Sequence, residues 1–320
     1  MAFIIHKLAY GSAMSRIALL IKATPQFEDD NYLRFAKCLS RSHDITLIPV
    51  ESLRLIDNQV CGGHLSWQSE FTTGMYLPDT DIKPIDQDLL WILSLGEQRS
   101  FLDKYQLLYA LSKKVRVINS LEALMHLNSK YYLTTRPQAF PQPETHAGRN
   151  AAELAQIINS KGGMWIVKPP AGSLGRDVFL VNPSDTNLNS ILEHMCGKEN
   201  TNYTIIQRYV REVENGEKRV ILAGRRVIDQ YKRLPTADHR SNISQGAISE
   251  HCELTKDEHE YCEDLAQILL AEGVHFSGID LAWPWLIEIN VVNPGGGATI
   301  EAITGADRTT EVLEAVFENL

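Results

Sequence analysis

The 320-residue sequence contains no apolar run long enough to cross a bilayer. Its first residues, Met1-Ala2-Phe3-Ile4-Ile5-His6-Lys7, carry neither a basic n-region nor an extended apolar core, so a secretory leader is not expected. Cysteine is scarce: Cys38, Cys61, Cys196, Cys252 and Cys262 are odd in number, widely spaced and never arranged as CxxC. Neither a disulfide framework nor a zinc site is supported, and each thiol is expected as a small apolar filler in a reducing cytoplasm. Positive charge is also short. A formal net charge of −9 leaves no basic footprint for a nucleic-acid backbone. Small molecules are the expected partners, with no nucleic acid and no membrane. No GxSxG elbow and no HExxH occur, so serine- and zinc-hydrolase chemistry lack a signature.

What remains is an ordinary globular composition, 44% apolar and 22% charged. The length suggests two packed units. A second methionine, Met14, precedes the apolar strand Arg16–Ile21. Residues 1–13 are either an extension from an early start codon or an extra ordered strand. The first third then alternates periods. Asn31–Ser42 has helical spacing, Asp44–Val50 reads as a strand, and Asp88–Leu93 and Val115–Ile118 read as two more. Phe101–Lys113 suits a helix between them. Residues 56–87 show little pattern and are expected to be a long irregular connection. Alternating strands and helices predict an open α/β domain with a parallel sheet.

Pro137, Pro141 and Pro143 mark a connection. Beyond it come helix Ala151–Ser160, strands Met164–Lys168, Arg176–Val181, Thr204–Tyr209, Arg219–Ala223 and Val227–Arg233, helix Lys256–Glu272 and two closing strands. That order predicts an antiparallel α+β unit. The expected division is 14–127 and 128–320, the latter splitting near 203/204.

The strongest chemical signal is the closing hairpin, Ser277–Ala282 and Leu286–Asn290 joined by Trp283-Pro284-Trp285. Symmetry about Pro284 would set Asp280 opposite Glu288, with Asn290 on the same face. Opposed carboxylates repel, and their neighbours Ile279, Leu281, Ile287 and Ile289 point one face at a core. Such a pair needs a cation, and the oxygen donors suit a hard ion such as magnesium held with phosphates. A solvated face on an edge hairpin is the alternative. A second signal is Lys168-Pro169-Pro170-Ala171-Gly172-Ser173-Leu174-Gly175 between two strands. Small residues would admit phosphate to backbone N–H groups, with Lys168 as a point charge; taken alone, such a loop is more often an ordinary β-turn. It is neither a Walker loop nor a GxGxxG fingerprint. Third, Arg219, Arg233 and Arg240 supply guanidinium forks, the last in a polar loop that would close over substrate or simply sit in water.

Together these features resemble the ATP-grasp ligases, and among them the bacterial glutathione synthetases, from about Val115 to the C-terminus. Asn128-Ser129-Lys130-Tyr131 is similar to the family's first ATP-lysine site, which implies Lys130; Lys168 matches the second ATP lysine. Gly172, Ser173 and Gly175 fall in its phosphate loop, and Pro143-Glu144-Thr145 in its connecting segment. Ile206-Gln207-Arg208-Tyr209-Val210 resembles the adenine hinge, with Glu217 in the ribose-acid position. Arg233-Leu234-Pro235 and Arg240-Ser241-Asn242 resemble the flexible catalytic loop, which implies catalytic roles for Arg219, Arg233, Arg240 and Asn242. Asp280, Glu288 and Asn290 match the metal-binding strands. Asn293, Pro294, Gly295 and Gly296 stand where the family carries Thr-Ser-Pro and binds substrate. Leu93-Ser94-Leu95-Gly96-Glu97-Gln98-Arg99 replaces a basic stretch that the family places near its peptide substrate.

The resemblance implies an ATP-grasp fold behind an open α/β domain, and a cytoplasmic, homo-oligomeric ligase using ATP and magnesium, or manganese. It implies joining of γ-glutamylcysteine and glycine through an acyl phosphate. A related peptide or amide ligase and a non-catalytic ATP-binding protein are the alternatives.

Overall fold

A computed structural model describes residues 14–22, 25–27, 31–127, 130–170, 177–235 and 248–320. Strand β1 (Arg16–Ile21) is buried over five of its six residues, as a continuous apolar run in a parallel sheet must be. It pairs in parallel with β2 (Asp44–Pro49) on one side and β6 (Leu89–Ile92) on the other, and β6 pairs in parallel with β7 (Arg116–Ile118). Helix α1 (Asn31–Leu39) crosses between β1 and β2, and α2 (Phe101–Leu111) between β6 and β7. The predicted open α/β unit is present.

The connection expected to be irregular is not. It holds β3 (Arg54–Ile56), β4 (Gln59–Ser66) and β5 (Asp81–Pro84), an antiparallel addition to the sheet. Gly62 and Gly63 look like turn residues in the sequence but lie inside β4. A Cβ on Gly62 would sit 2.7 Å from Ile48 Cγ2, and one on Gly63 2.3 Å from Thr80 Oγ1. These glycines permit close packing.

After helix α3 (Leu121–Leu127), four antiparallel strands form a small sheet in the order β10-β9-β11-β8: β8 (Thr145–Gly148), β9 (Trp165–Lys168), β10 (Phe179–Val181) and β11 (Thr204–Arg208). Helices α4 (Ala151–Lys161) and α5 (Leu188–Cys196) cover it, with a core of its own that includes Leu154, Ile158, Trp165, Val167, Leu192 and Ile206. β11 is an inner strand of this sheet.

The last sheet is antiparallel, ordered β14-β13-β12-β15-β16: β12 (Glu217–Ala223), β13 (Arg226–Leu234), β14 (Ile248–Glu250), β15 (Phe276–Ala282) and β16 (Trp285–Asn290). One face, with Val220, Leu222, Ile279, Leu281 and Ile289, packs on Cys262, Leu265 and Leu269 of α6 (Lys256–Ala271). The chain ends with α7 (Gly297–Thr304) and α8 (Thr309–Phe317). Val312, Leu313 and Val316 of α8 share a core with Phe35 and Leu39 of α1. The C-terminal helix thus seals the N-terminal unit, and the two expected domains share hydrophobic cores.

Candidate active site

The opposite face of the last sheet carries the charge. Asp280 pairs in register with Glu288 on β16 and with Arg219 on β12. The hairpin reaches this register differently from the symmetric expectation. Trp283-Pro284 forms the tip, Ala282 pairs with Trp285, and a bulge between Asp280 and Leu281 restores the Asp280–Glu288 pairing.

Each carboxylate meets a cation supplied by the chain. Arg219 grips Asp280 with both arms, Nε to Oδ1 at 2.6 Å and Nη2 to Oδ2 at 3.0 Å. Arg233 Nη2 adds a contact to Asp280 Oδ1 at 2.6 Å and donates to Glu217 Oε2 at 3.2 Å. Glu217 is the register partner of Arg233 across the β12–β13 ladder. The result is a buried alternating chain, Glu217–Arg233–Asp280–Arg219. Burial pushes the Asp280 carboxyl up, but the charges of Arg219 and Arg233 overcome it and hold it at about 2. Burial likewise works against the two guanidinium charges, and Asp280 more than offsets it.

The lysines come from other elements. Lys130, just past α3, donates from Nζ to Glu288 Oε1 at 2.8 Å. Lys168, last in β9, is buried and donates to Gln207 Oε1 at 2.7 Å. Its ammonium is pushed down to about 8, first by burial and then by the charge of Lys130, with Glu288 and Glu217 opposing. Lys168 thus feels the charges of Glu288 and Glu217. Four cations therefore converge on three carboxylates, Glu217, Asp280 and Glu288.

Not every expected residue faces this centre. Arg208 stacks over the Trp165 ring at 4.0 Å and pairs with Glu144 Oε2 at 3.2 Å, with Nη1 donating to the Gly162 carbonyl. Its side chain is held by the small sheet and the Glu144 carboxylate. Gln207 faces Lys168 and donates from Nε2 to Thr145 Oγ1 at 2.8 Å. Tyr209 continues the hinge, its N–H donating to Met164 O, and its hydroxyl donates to Glu214 Oε1 at 3.2 Å; Val210 follows, half-buried. Gly172, Ser173, Gly175, Arg240 and Asn242 lie outside the described residues.

The segment after β16 is tied to the same centre. Arg219 Nη1 donates to the Pro294 carbonyl, and a Cβ on Gly278 would lie 2.5 Å from Pro294 Cβ. Gly295 and Gly296 adopt φ of 64° and 94°, the left-handed region that glycine permits. Sequence reasoning missed Asn119, which holds this arrangement from the N-terminal unit. Its amide donates to the Phe276 and Val291 carbonyls and accepts from the N–H groups of His275 and Phe276. A lone Asn after a strand gives no sequence signal of such a role.

A family model for the prokaryotic glutathione synthetase ATP-grasp domain matches residues 130–305, more than half of the chain. The chain belongs to this family. The match begins at Lys130 and covers every charged residue of the centre described above. This ATP-grasp chain is 31% identical over 208 residues to a glutathione synthetase of Synechococcus elongatus, covering 64% of this chain and 63% of that one. The alignment thus spans less than two thirds of that relative. A glutathione synthetase of Bradyrhizobium diazoefficiens is 29% identical over 307 residues, 94% of this chain and 92% of that protein. Among solved structures, the D-cycloserine synthetase DcsG superposes with a TM-score of 0.66 at 15% identity, over 94% of this chain and 99% of that one. D-alanyl-alanine synthetase A of Vibrio cholerae gives 0.62 at 14%, over 94% and 98%. These likenesses establish the ATP-grasp fold, in a family that uses ATP.

Magnesium can be tested against the donor set. Among the described residues no group of three or more His, Cys, Asp or Glu side chains is poised to hold a metal unaided. Asn290 lies on the Glu288 face, and its Nδ2 is buried without a hydrogen-bond partner. An amide turned the other way would offer oxygen there. Two carboxylates plus an amide oxygen make a partial shell of hard donors, which fits an ion that keeps water and takes phosphate oxygens.

Proposed function

We propose that this protein is an ATP-dependent carboxylate–amine ligase that joins γ-glutamylcysteine to glycine, releasing ADP and phosphate. The observation that carries the reading is that Lys130 and Lys168, from separate elements, both feel Glu288, the register partner of Asp280. Phosphoryl transfer demands positioning and charge neutralisation and needs no nucleophilic side chain. The site offers cations and carboxylates without one.

In this reading every phosphate-binding cation begins paired with a carboxylate or a side-chain amide. Lys130, Lys168, Arg219 and Arg233 turn to the phosphates of ATP as nucleotide enters, and the freed oxygens of Asp280 and Glu288, with Asn290, hold magnesium or manganese. When bound, the metal would supply positive charge to neutralise the phosphates. Gly172, Ser173 and Gly175 are assigned to the phosphates by the family resemblance. The hinge at Gln207–Val210 and Glu217 are assigned to the nucleoside. The substrate carboxylate attacks the γ-phosphorus and the β,γ-bridging bond breaks to ADP, leaving an acyl phosphate. The amine then attacks the acyl carbon and expels phosphate. Arg219 and Arg233 balance the developing negative charge, and Arg240 and Asn242 belong to a loop that would exclude water from the acyl phosphate. Asn293–Gly296 are assigned to the substrate. The reaction places the protein in glutathione synthesis and, with it, in the cytoplasm; a homo-oligomer is expected from the resemblance.

One observation favours a different substrate pair in the same chemistry. In the stretch that follows β6, Lys104 Nζ is tied to Glu51 Oε1 at 2.6 Å and Arg99 Nε to Glu97 at 2.7 Å, so the local cations are spent on local acids. Mass detection of products from a panel of γ-glutamyl dipeptides and amino acids separates the readings. Glutathione as the main product supports the first. Another amide with no glutathione supports the second.

A further inference from the structure

The loop 293–297 is held from two directions. From below, Arg219 links Asp280 to the Pro294 carbonyl. From the N-terminal unit, Asn31, the first residue of α1, donates from Nδ2 to Asn293 Oδ1 at 2.9 Å, across 262 positions of sequence. The Asn31 side chain reaches the far end of the loop as well, because a Cβ on Gly297 would lie 2.8 Å from its Oδ1. One turn on, Arg34 Nη1 pairs with Glu301 Oε2 of α7 at 2.6 Å. Asn31 is only 5% exposed, so its amide is shielded from competing water.

A loop with two consecutive glycines at positive φ does not hold one conformation on its own. Both of its anchors are side chains from elsewhere, and they differ in kind. Arg219 belongs to the charged centre, while Asn31 comes from the N-terminal unit. We propose that Asn31 is a positioning residue for the amine-acceptor site, setting loop 293–297 through Asn293 and Gly297 without contributing to nucleotide binding. This rests on the reading above that the loop takes substrate.

Losing a buried neutral hydrogen bond changes an equilibrium by about threefold to tenfold. Asn31→Ala is expected to raise the acceptor KM by that factor and to leave ADP affinity and kcat at saturating acceptor near wild type. Asn293→Ala removes the same bond together with the Asn293 side chain, so the double variant should raise the acceptor KM no further than Asn293→Ala alone. Additive KM effects, or an equal loss of ADP affinity, would overturn the proposal. A second readout is independent of substrate identity: hydrogen exchange at the amides of Gly295, Gly296 and Gly297 should quicken in Asn31→Ala while β12 and β15 exchange as before. Unchanged exchange at those glycines overturns the proposal even if glycine proves not to be the acceptor. Faster exchange beside a wild type inactive with glycine sinks only the substrate reading.

Discussion

Lys168 and Asp280 carry opposite kinds of strain. The Lys168 ammonium is buried and pushed down to about 8, against 10.5 for a free lysine. The folded state therefore binds its proton less tightly than the unfolded one. Its contribution to stability is least below pH 8 and improves as pH rises from about 8 to 10.5. Phosphate binding needs the charged form and runs the other way. ADP affinity is predicted to fall as pH rises through 8, and binding near that pH to be accompanied by proton uptake. Calorimetry in buffers of different ionisation enthalpy reads the proton directly; no uptake between pH 8 and 9 would remove Lys168 from the phosphate site. Asp280 is the keystone of two buried guanidinium groups, so Asp280→Ala leaves Arg219 without its carboxylate partner and Arg233 with Glu217 alone. The expected destabilisation is about 3–5 kcal/mol by denaturant titration. A loss under about 1 kcal/mol would show that the network is not held as described. Of these residues, sequence reasoning reached Asp280, Glu288 and Lys168. It did not reach the pairing of Asp280 with Arg219 and Arg233, which depends on strand order and not on spacing.

At the scale of elements, helix α6 fixes the back of the charged sheet. Thr255 and Glu258 form a reciprocal N-terminal cap: Glu258 N–H donates to Thr255 Oγ1 at 3.3 Å, and Thr255 N–H donates to Glu258 Oε2 at 2.7 Å. Glu258 also accepts from Lys218 Nζ on β12 at 2.6 Å, so the cap docks the helix as well as starting it. Thr255→Ala should cost about 1 kcal/mol of stability with ligase kinetics unchanged at 25 °C. A change in acceptor or nucleotide KM would mean that α6 positions the site more closely than its core packing implies. Most element types were legible because their periods are clean: the run Ile17–Ile21, or the alternation in Ile279-Asp280-Leu281. β4 was not, because Gly62 and Gly63 have the composition of a turn and earn their place only through Ile48 and Thr80. The direction of the Arg208 side chain was not legible for a related reason. The hinge pattern marks the strand, and the direction of its guanidinium is set by Trp165 and Glu144.

Across the whole molecule, the same sheet face changes character along its length. Near Ile221, Ala223 and Phe276 it is apolar and packs on the N-terminal unit; near Glu217, Arg219 and Asp280 it is charged. The apolar end joins the units, the charged end is where the chemistry is proposed, and Asn119 and Asn31 link the units. That link could not be read from the sequence, since neither Asn belongs to a motif. At the charged end, the proposed chemistry couples ATP cleavage to amide formation. The most direct measurement is ADP release with magnesium present and γ-glutamylcysteine and glycine omitted in turn. The account predicts release that requires both, with glutathione formed in equal amount. ADP release that is indifferent to both substrates, or its absence for every carboxylate and amine pair in a protein that binds ATP, would contradict it.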